Sequence, residues 1–427
     1  MSVILIFLAF IAMICLNVPI AVALAVAAIL GLVASEGLGS LVSVALDMYD
    51  GSTKFSLIAI PMFVLAGAIM NAGGVTDRLI NFVSAIIGFV RGGLAMVNIG
   101  VSLFFAEISG SAVADVAAMG SILIPQMKKR GYSAPLSAAV TSSSASLAII
   151  IPPSIPMILY ATAANTSVEQ LFVAGIVPGL IGAFGLMGVA YGFARRYDLP
   201  VEDAFDWSRL GTTFIDALPA FSLPVIILGG IFGGFVTATE AAGLAVVAAL
   251  AVGAWYNQLD LAHLKRAMLD GGMQTAIVML LVAASVAMGG FLTRAQLPQQ
   301  LAAGILEITD NKWMILLILN FLFLVIGFFL HSAAAIILVV PIVIPLISAA
   351  GIDPVHFGLV VTLNLAIGQQ TPPVASVLIT SCAVARANIW DVSKVNIYFV
   401  AVLFVVLMIC TYVPAIPMFL VEYFYRN

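Results

Sequence analysis

Two long apolar runs of this sequence are each interrupted near the middle by a pair of prolines. Pro152-Pro153 divides the run from Ser133 to Thr166, and Pro372-Pro373 divides the run from Asp353 to Arg386, so the two pairs lie 220 residues apart. A proline inside a helix removes one backbone hydrogen bond and clashes with the carbonyl four residues earlier. Two successive prolines are therefore predicted to break each helix. In membrane proteins, broken helices at matching places in two halves indicate the binding site of a transporter.

The composition indicates a protein that lies in a membrane. Hydrophobic residues make up 63% of the 427 residues, and charged residues make up only 8%. Apolar runs of about 18 or more residues recur along the chain, and each is long enough to cross a hydrocarbon core of about 30 Å. We find no nucleotide-binding motif and no soluble domain between them. The sequence therefore predicts an all-α polytopic membrane protein in contact with lipid, and it offers no sign of a nucleic-acid partner.

Each half also contains a predicted helical hairpin with a polar tip. In the first half, the apolar stretches Leu94–Phe105 and Val113–Ile124 are too short to cross a membrane comfortably, and Glu107–Ser111 lies between them. Non-helical backbone at membrane depth is tolerated only where protein buries it or where it lines a water-filled cavity. We therefore expect a re-entrant hairpin at this place. Its expected counterpart in the second half comprises Lys312–Leu330, a tip at His331-Ser332, and Ala333–Ala350.

The distribution of basic residues predicts the orientation of the chain. We treat both hairpins and two interfacial arms as non-crossing and place the N-terminus in the cytoplasm. Twelve of the sixteen Lys and Arg residues then fall on the cytoplasmic side, as the positive-inside rule requires, and the C-terminus falls outside. The predicted crossings are 3–33, 55–72, 133–164, 170–194, 213–235, 238–256, 271–293, 354–386 and 395–421.

The repeats divide the chain into a predicted scaffold and a predicted transport domain. The first hairpin and broken helix occupy 91–166, and the second hairpin and broken helix occupy 311–390. Scaffold spans and the two arms occupy 1–90 and 167–310, and a C-terminal span occupies 391–427. Because the two hairpins are flanked by different charges, we expect them to enter from opposite sides, as inverted repeats do.

The broken helices and hairpin tips predict at least two sodium sites. Carbonyls freed at a helix break, together with hydroxyl and amide oxygens, can coordinate Na⁺ without a charged ligand. The alternative is that these side chains only hydrogen-bond one helix to another. The predicted Na⁺ ligands are Ser109, Gly110, Ser144, Pro152, Ser332, Asn364, Gly368, Thr371 and Pro372. No organic cofactor is expected.

Several other residues are candidates for contact with a substrate. Arg294 ends an apolar span, so its guanidinium could bind a carboxylate in a bidentate manner or could be an interfacial anchor. Glu107 is a carboxylate at membrane depth, where it could couple ions or cap the following helix. His331 at the second tip could contact substrate or be structural. The predicted substrate-binding residues are Arg294, Ser109, Ser111, Ser154, His331 and Ser332, with Glu107 as a possible coupling residue.

An intramembrane enzyme is a weaker alternative. Ser109, Ser111, Glu107 and His331 supply a nucleophile, an acid and a base in principle. The chain has only three histidines, and it contains neither a G-x-S-x-G nor an H-E-x-x-H motif. We therefore predict that the protein is not an enzyme.

The chain resembles the large membrane (M) subunit of a tripartite ATP-independent periplasmic (TRAP) transporter over essentially its whole length. The tip Ser109-Gly-Ser-Ala-Val-Ala-Asp115 and the break Ile149-Ile-Ile-Pro-Pro-Ser154 carry the resemblance in the first half. The other matching segments are Thr239-Glu-Ala-Ala242, Gly351-Ile-Asp-Pro-Val-His-Phe-Gly358, Asn364-Leu-Ala-Ile-Gly368 and Thr371-Pro-Pro-Val374. One departure is His331, because many members of the family carry an acidic residue at the second tip.

This resemblance implies an elevator fold and Na⁺-driven uptake through a bacterial inner membrane, with the C-terminus in the periplasm. It also implies two protein partners, a small membrane (Q) subunit and a periplasmic substrate-binding protein. Family substrates are mostly carboxylates, and Arg294 at the end of its span is similar to the sialic-acid branch, so we expect N-acetylneuraminate. The alternatives are a self-sufficient ion-coupled dicarboxylate transporter and, less favoured, an intramembrane enzyme or a non-transporting assembly subunit.

Overall fold

The structure is a computed structural model that describes residues 3–16, 18–201 and 204–426, without the side chains of residues 3, 4, 15 and 107–109. All regular secondary structure in these residues is helical, as predicted. The α-helices are α1 (Val3–Cys15), α2 (Ile20–Glu36), α3 (Leu41–Ser52), α4 (Ala59–Ala72), α5 (Val75–Ile87), α6 (Gly93–Ser109), α7 (Ala112–Lys129), α8 (Ala134–Ala145), α9 (Ile155–Ala164), α10 (Val168–Arg196), α11 (Trp207–Pro224), α12 (Gly230–Phe232), α13 (Ala238–Trp255), α14 (Leu261–Arg294), α15 (Leu297–Ile308), α16 (Lys312–Phe329), α17 (Ser332–Ala349), α18 (Pro354–Gly368), α19 (Ser376–Ala385), α20 (Ile389–Tyr412) and α21 (Ala415–Val421).

The helix order repeats, as the proline pairs predicted. An arm, a two-helix hairpin, a broken helix and a long helix follow one another as α5 to α10, and again as α15 to α20. The first broken helix is α8 and α9, which are separated by a 3₁₀ turn at Ser146–Ile149 and by the proline pair. The second is α18 and α19, separated by residues 369–375. Both proline pairs are joined by a cis peptide bond.

Three predictions of helix boundaries are wrong in detail. The first span is two helices rather than one kinked helix, because Pro19 cannot continue α1 and instead caps the start of α2. The last span ends at Tyr412, and α21 starts again after Pro414 for the same reason. The limbs of the first hairpin, α6 and α7, have 17 and 18 residues and are not half-length.

The hairpin limbs are longer than their apolar runs because polar residues continue each helix at its end. Helix α6 extends to Ser109 and stops at Gly110, which has a left-handed backbone conformation with φ 58°. Helix α7 extends to Lys128 and Lys129 in its last turn, where cations interact favourably with the negative end of the helix dipole.

The helices pack into two groups that meet along one face. Helices α2, α3, α4, α13 and α14 pack on one another, and we call them the scaffold group. Helices α6–α10 and α16–α20 also pack on one another, and we call them the hairpin group. The groups meet where α14 packs on α17 and α4 packs on α6. The predicted boundaries assigned residues 167–310 to the scaffold, yet α10 packs on the broken helices α9 and α18.

Within the described residues, eight helices are long and apolar enough to cross a membrane. Six of them overlap predicted crossings, and the other two are the limbs of the second hairpin, Lys312–Phe329 and Ser332–Ala349. A capping box begins α13 at Thr237. The Thr237 hydroxyl accepts from the backbone N–H of Glu240, whose carboxylate accepts from the N–H of Thr237, at the start of α13.

Candidate functional site

The first hairpin tip touches the first helix break. Gly110, between α6 and α7, approaches the break so closely that a Cβ built on it would lie 3.0 Å from the carbonyl oxygen of Pro153. Only glycine combines this approach with φ 58° at little cost. Ser111 then begins α7, and its Oγ accepts a hydrogen bond from the N–H of Ala114 at 3.5 Å. The tip and the break, predicted to lie together, are therefore in contact.

The second tip has the same relation to the second break. His331 begins α17, and its Nδ1 accepts from the N–H of Ala333 at 3.4 Å. The N–H of Ala375, in the second break, donates to the carbonyl of Phe328, at the end of α16, at 3.4 Å. Inside the break, Ser376 Oγ donates to Gln369 Oε1 at 3.3 Å. The second hairpin and its broken helix therefore also meet at the tip.

A cavity of about 530 Å³ lies between both tips and the scaffold group. On the hairpin side, the first turns of α7, α9, α17 and α19 all contribute residues to its wall. On the scaffold side, Val64 of α4 and Gln274, Ile277 and Val278 of α14 complete the wall. Helix N-termini carry partial positive charge and free N–H groups. The cavity therefore offers four positive helix ends to one bound molecule.

Two further cavities lie at the boundary between the groups. One of about 450 Å³ shares Val64 and Gln274 with the tip cavity and extends along α4 to Asn71. The other, of about 280 Å³, lies at the opposite end of α4, next to Lys54 and Leu57. Here Lys54 Nζ donates to the carbonyl of Thr162 at 3.2 Å, and the hydroxyls of Ser56 and Thr162 are 3.0 Å apart. The cavity of about 450 Å³ therefore extends the tip cavity toward the Asn71 end of α4. At the other end of α4, hydrogen bonds join Lys54 and Ser56 to the hairpin group.

The structure brings a buried polar network to each broken helix. In the first half, Ser144 Oγ donates to Asn98 Oδ1 of α6 at 3.1 Å. In the second half, Asn364 Nδ2 donates to Asn320 Oδ1 of α16 at 2.7 Å. Asn98 and Asn320 were missed by sequence reasoning. The sequence signal that could have identified them is an amide inside each otherwise apolar hairpin limb. An unpaired amide in an apolar interior is costly, so each of these amides implies a hydrogen-bond partner.

Other residues of the predicted substrate and Na⁺ sites form local hydrogen bonds. Ser154 Oγ, the cap of α9, donates to the carbonyl of Ile149 at 2.7 Å, and Thr371 Oγ1 donates to that of Ile367 at 3.0 Å. Gly110 and Ser332 line the tip cavity. Gly368 packs against the backbone of Gly327. The side chains of Ser109 and Glu107 lie outside the part of the chain whose side chains are described.

The structure does not bring Arg294 to the tips. Its Nη1 lies 2.9 Å from Glu36 Oε2 and its Nη2 lies 3.6 Å from Asp47 Oδ2, so it joins α14 to α2 and α3 within the scaffold group. It is not among the residues that line the tip cavity. In this arrangement two protein carboxylates bind the guanidinium, and the pairing of Arg294 with a substrate carboxylate stays a prediction.

The oxygens near the breaks suit a monovalent cation. Within the described residues, no group of three or more His, Cys, Asp or Glu side chains could hold a metal ion. Asn364 Oδ1 and Ser142 Oγ are instead buried neutral oxygens without a hydrogen-bond partner among the described residues. Neutral oxygens of side chains and unwound backbone are the ligands that coordinate Na⁺ at broken helices. The residues present therefore fit Na⁺.

The comparisons with known proteins agree along most of the chain. The family described as "Tripartite ATP-independent periplasmic transporter, DctM component" matches residues 7–416. The isethionate TRAP transporter permease protein DctMQ of Oleidesulfovibrio alaskensis is 39% identical over 408 residues, which cover 94% of this chain but only 64% of that protein. The C4-dicarboxylate TRAP transporter large permease protein DctM of Pseudomonas aeruginosa is 38% identical and covers 88% of each chain.

Two further similarities concern sialic acid transport and the fold. The sialic acid TRAP transporter large permease protein SiaM of Vibrio cholerae is 36% identical over 88% of this chain and 89% of that protein. The crystal structure of the YdaH transporter of Alcanivorax borkumensis has a TM-score of 0.65 over 89% of each chain at 15% identity, which supports the fold alone. The family match and these relatives show that this chain belongs to the tripartite ATP-independent periplasmic transporters, as the large permease subunit or DctM component.

Proposed function

We propose that this permease takes up an organic acid by a Na⁺-coupled elevator mechanism in a bacterial inner membrane. The observation that carries the proposal is the convergence of four helix N-termini on the tip cavity. These positive helix ends can bind a carboxylate without an arginine. The volume of about 530 Å³ falls within the range of roughly 300–1,000 Å³ that is usual for small-molecule sites.

His331, Ser111 and Ser332 are the proposed polar contacts of the substrate in this cavity. All three line it, as does Gln274 from the scaffold side. Because Nδ1 of His331 already accepts from Ala333, a neutral His331 offers its Nε2–H as a donor, and the hydroxyls can donate and accept, which suits a molecule that carries hydroxyl and amide groups beside its carboxylate. We therefore propose N-acetylneuraminate as the first substrate to test, and a C4-dicarboxylate as the second because relatives carry both names.

The proposed movement carries the hairpin group across the membrane against the scaffold group. With the N-terminus in the cytoplasm, α4 runs inward, so the cavities near Val64 and Asn71 lie toward the cytoplasm. At the opposite end, the bonds from Lys54 and Ser56 to Thr162 join the two groups. These features support an inward-facing state, in which those bonds hold the groups together and must break when the hairpin group moves outward.

Two protein partners complete the proposed system. A periplasmic binding protein delivers the substrate, and a small membrane subunit binds the permease. The relative named DctMQ is longer than this chain, which covers 64% of it. The name DctMQ supports a small (Q) subunit as a partner of the proposed system.

The test is uptake of labelled N-acetylneuraminate and labelled succinate into proteoliposomes that contain the permease and its small subunit. Uptake is measured with and without an inward Na⁺ gradient, and with and without purified binding protein. We expect uptake of one acid that requires both. Uptake with Na⁺ alone would favour a self-sufficient transporter, and Na⁺-independent uptake would refute the coupling. Ser111→Ala and Ser332→Ala test the tips, since unchanged Na⁺ dependence in both folded variants would refute an action of Na⁺ through the tips.

A further inference from the structure

A chain of directed hydrogen bonds connects α20, α16 and α18 and ends at Asn364. Thr411 Oγ1 donates its proton to the carbonyl of Leu407 at 2.8 Å, so its hydroxyl oxygen is free to accept. Asn320 Nδ2 donates to that oxygen at 3.1 Å. Asn364 Nδ2 donates in turn to Asn320 Oδ1 at 2.7 Å. All three side chains are buried, and each donor in the chain points toward Leu407.

The second proton of the Asn364 amide is also bound, which sets the direction of its oxygen. Asn364 Nδ2 donates to the carbonyl of Val360 at 2.8 Å as well as to Asn320. An amide carries two N–H protons and one oxygen, so both donors are used. Rotating the amide by half a turn would place its oxygen against two acceptor oxygens. The Asn364 Oδ1 atom is therefore held in one direction.

That oxygen accepts no hydrogen bond from any residue that the structure describes. Asn364 is fully buried, and its Oδ1 is an acceptor without a donor. A buried acceptor without a partner costs about 1–3 kcal/mol, so such an atom calls for a ligand. An amide oxygen is a suitable ligand for a small monovalent cation next to a helix break.

The corresponding network in the first half is closed. Asn98 Nδ2 donates to Thr141 Oγ1 at 2.7 Å, and Ser144 Oγ donates to Asn98 Oδ1 at 3.1 Å, which repeats the roles of Asn320 and Asn364. Here, however, Ser102 Oγ lies 2.9 Å from Ser144 Oγ and bonds to it. The terminal oxygen of the first network therefore has a protein partner, while that of the second has none among the described residues.

We propose that Asn320 is a positioning residue, held by Thr411, that fixes Asn364 Oδ1 as a ligand of Na⁺ in the second half of the protein. This inference rests on the proposed Na⁺ coupling. Asn320 itself does not touch the ion. It binds the amide protons of Asn364 and so prevents the amide from turning its oxygen away from the site.

The test compares three variants in their Na⁺ dependence. Asn320→Leu keeps the branching of the side chain but removes the acceptor, Asn320→Asp keeps an acceptor oxygen for Asn364, and Tyr160→Phe is the matched control. Tyr160 is also fully buried, and its hydroxyl donates to the carbonyl of Pro354 at 2.8 Å, so the control loses a buried bond at the far end of α18. Two readouts are used, the Na⁺ concentration for half-maximal uptake and the rise in unfolding temperature that Na⁺ produces in the purified complex relative to choline.

We expect Asn320→Leu to raise the half-saturating Na⁺ concentration about tenfold, the factor that corresponds to the loss of one orienting hydrogen bond. The Na⁺-induced rise in unfolding temperature should shrink in parallel, while the KM for substrate at saturating Na⁺ stays within about twofold. Asn320→Asp keeps the acceptor for Asn364 but loses the donor to Thr411, so it should restore the Na⁺ affinity only in part, and Tyr160→Phe should leave it unchanged.

An Asn320→Leu protein with the Na⁺ affinity of the native protein would overturn the inference, as would an equal loss of Na⁺ affinity in Tyr160→Phe. If Asn320→Leu does not fold, Thr411→Val serves instead, because it removes the acceptor that orients Asn320, and unchanged Na⁺ affinity in that variant would overturn the inference equally. Absence of any Na⁺ effect on the native protein, in either readout, would refute the proposed coupling itself and is thus a different result.

Discussion

The contact between Gly368 of α18 and Gly327 of α16 sets how closely the second hairpin approaches its broken helix. A Cβ built on Gly368 would lie 2.6 Å from the Cα and 2.7 Å from the carbonyl carbon of Gly327. Carbon atoms pack at about 3.5–4.0 Å, so Gly368→Ala requires the two backbones to separate by about 1 Å. Neither contact is with a flexible side chain, so no rotamer change can relieve it.

The separation has two calculable consequences. Overpacking a well-packed interior costs about 1–3 kcal/mol. The Asn364–Asn320 bond of 2.7 Å joins the same two helices, and a displacement of about 1 Å would break it at a further cost of about 0.5–1.5 kcal/mol. We therefore expect Gly368→Ala to destabilise the protein by about 2–4 kcal/mol. Gly327→Ala should cost less, because its Cβ would lie 3.1 Å from the nearest atom, the Cα of Gly368.

The assay is thermal unfolding in detergent, combined with uptake in proteoliposomes. Gly188→Ala in α10 is the control, since a Cβ at Gly188 would meet nothing within 4 Å and alanine favours a helix over glycine by about 1 kcal/mol. We expect the unfolding temperature to fall by about 2–5 °C for Gly368→Ala and to fall less for Gly327→Ala. It should not fall for the control. If Gly368→Ala unfolds at the same temperature as Gly188→Ala, the close approach of α16 and α18 is refuted.

Three further predictions follow from other contacts. Gly110→Ala should reduce uptake more than Gly131→Ala. Both glycines have positive φ, but only a Cβ on Gly110 would lie 3.0 Å from the carbonyl oxygen of Pro153. Equal loss of uptake in the two variants would refute the contact between the first tip and the first break. A disulfide between the cysteines introduced by Ser56→Cys and Thr162→Cys should stop uptake, and reductant should restore it. Uptake that continues after the disulfide has formed would exclude movement of the hairpin group against the scaffold group. Arg294→Gln should leave the KM for substrate unchanged and lower stability by less than about 1 kcal/mol, since its ion pairs are partly exposed; a KM raised tenfold would instead place Arg294 in the substrate site.

Much of the architecture was predictable because backbone constraints act locally. The proline pairs predicted both helix breaks, and Gly110 predicted the first tip. The all-helical membrane fold followed from the length and composition of the apolar runs, since hydrocarbon excludes unpaired backbone groups. The boundaries of the first hairpin's limbs were wrong because the apolar run ends where polar residues begin, although α7 continues through Lys128 and Lys129. Those of the second hairpin were correct to within one residue.

The sequence predicted which types of residue form the site better than it predicted which residues contact one another. Ser111, His331 and Ser332 do line one cavity. Arg294 was assigned by its place at the end of a span, but it lies between Glu36 and Asp47. Those carboxylates are 258 and 247 positions earlier in the chain, so no local pattern could reveal the pairing.

The sequence by itself determined where the helices break, that the two halves repeat, and which family the protein belongs to, because prolines, glycines and apolar runs act within a few residues of themselves. Only the tertiary structure decided which oxygens remain unpaired. Asn364 and Ser144 occupy equivalent positions, yet Ser102 closes the first network while Asn364 Oδ1 has no donor among the described residues. Hydrogen-bond satisfaction depends on side chains contributed by distant helices, and it is settled only when those helices pack.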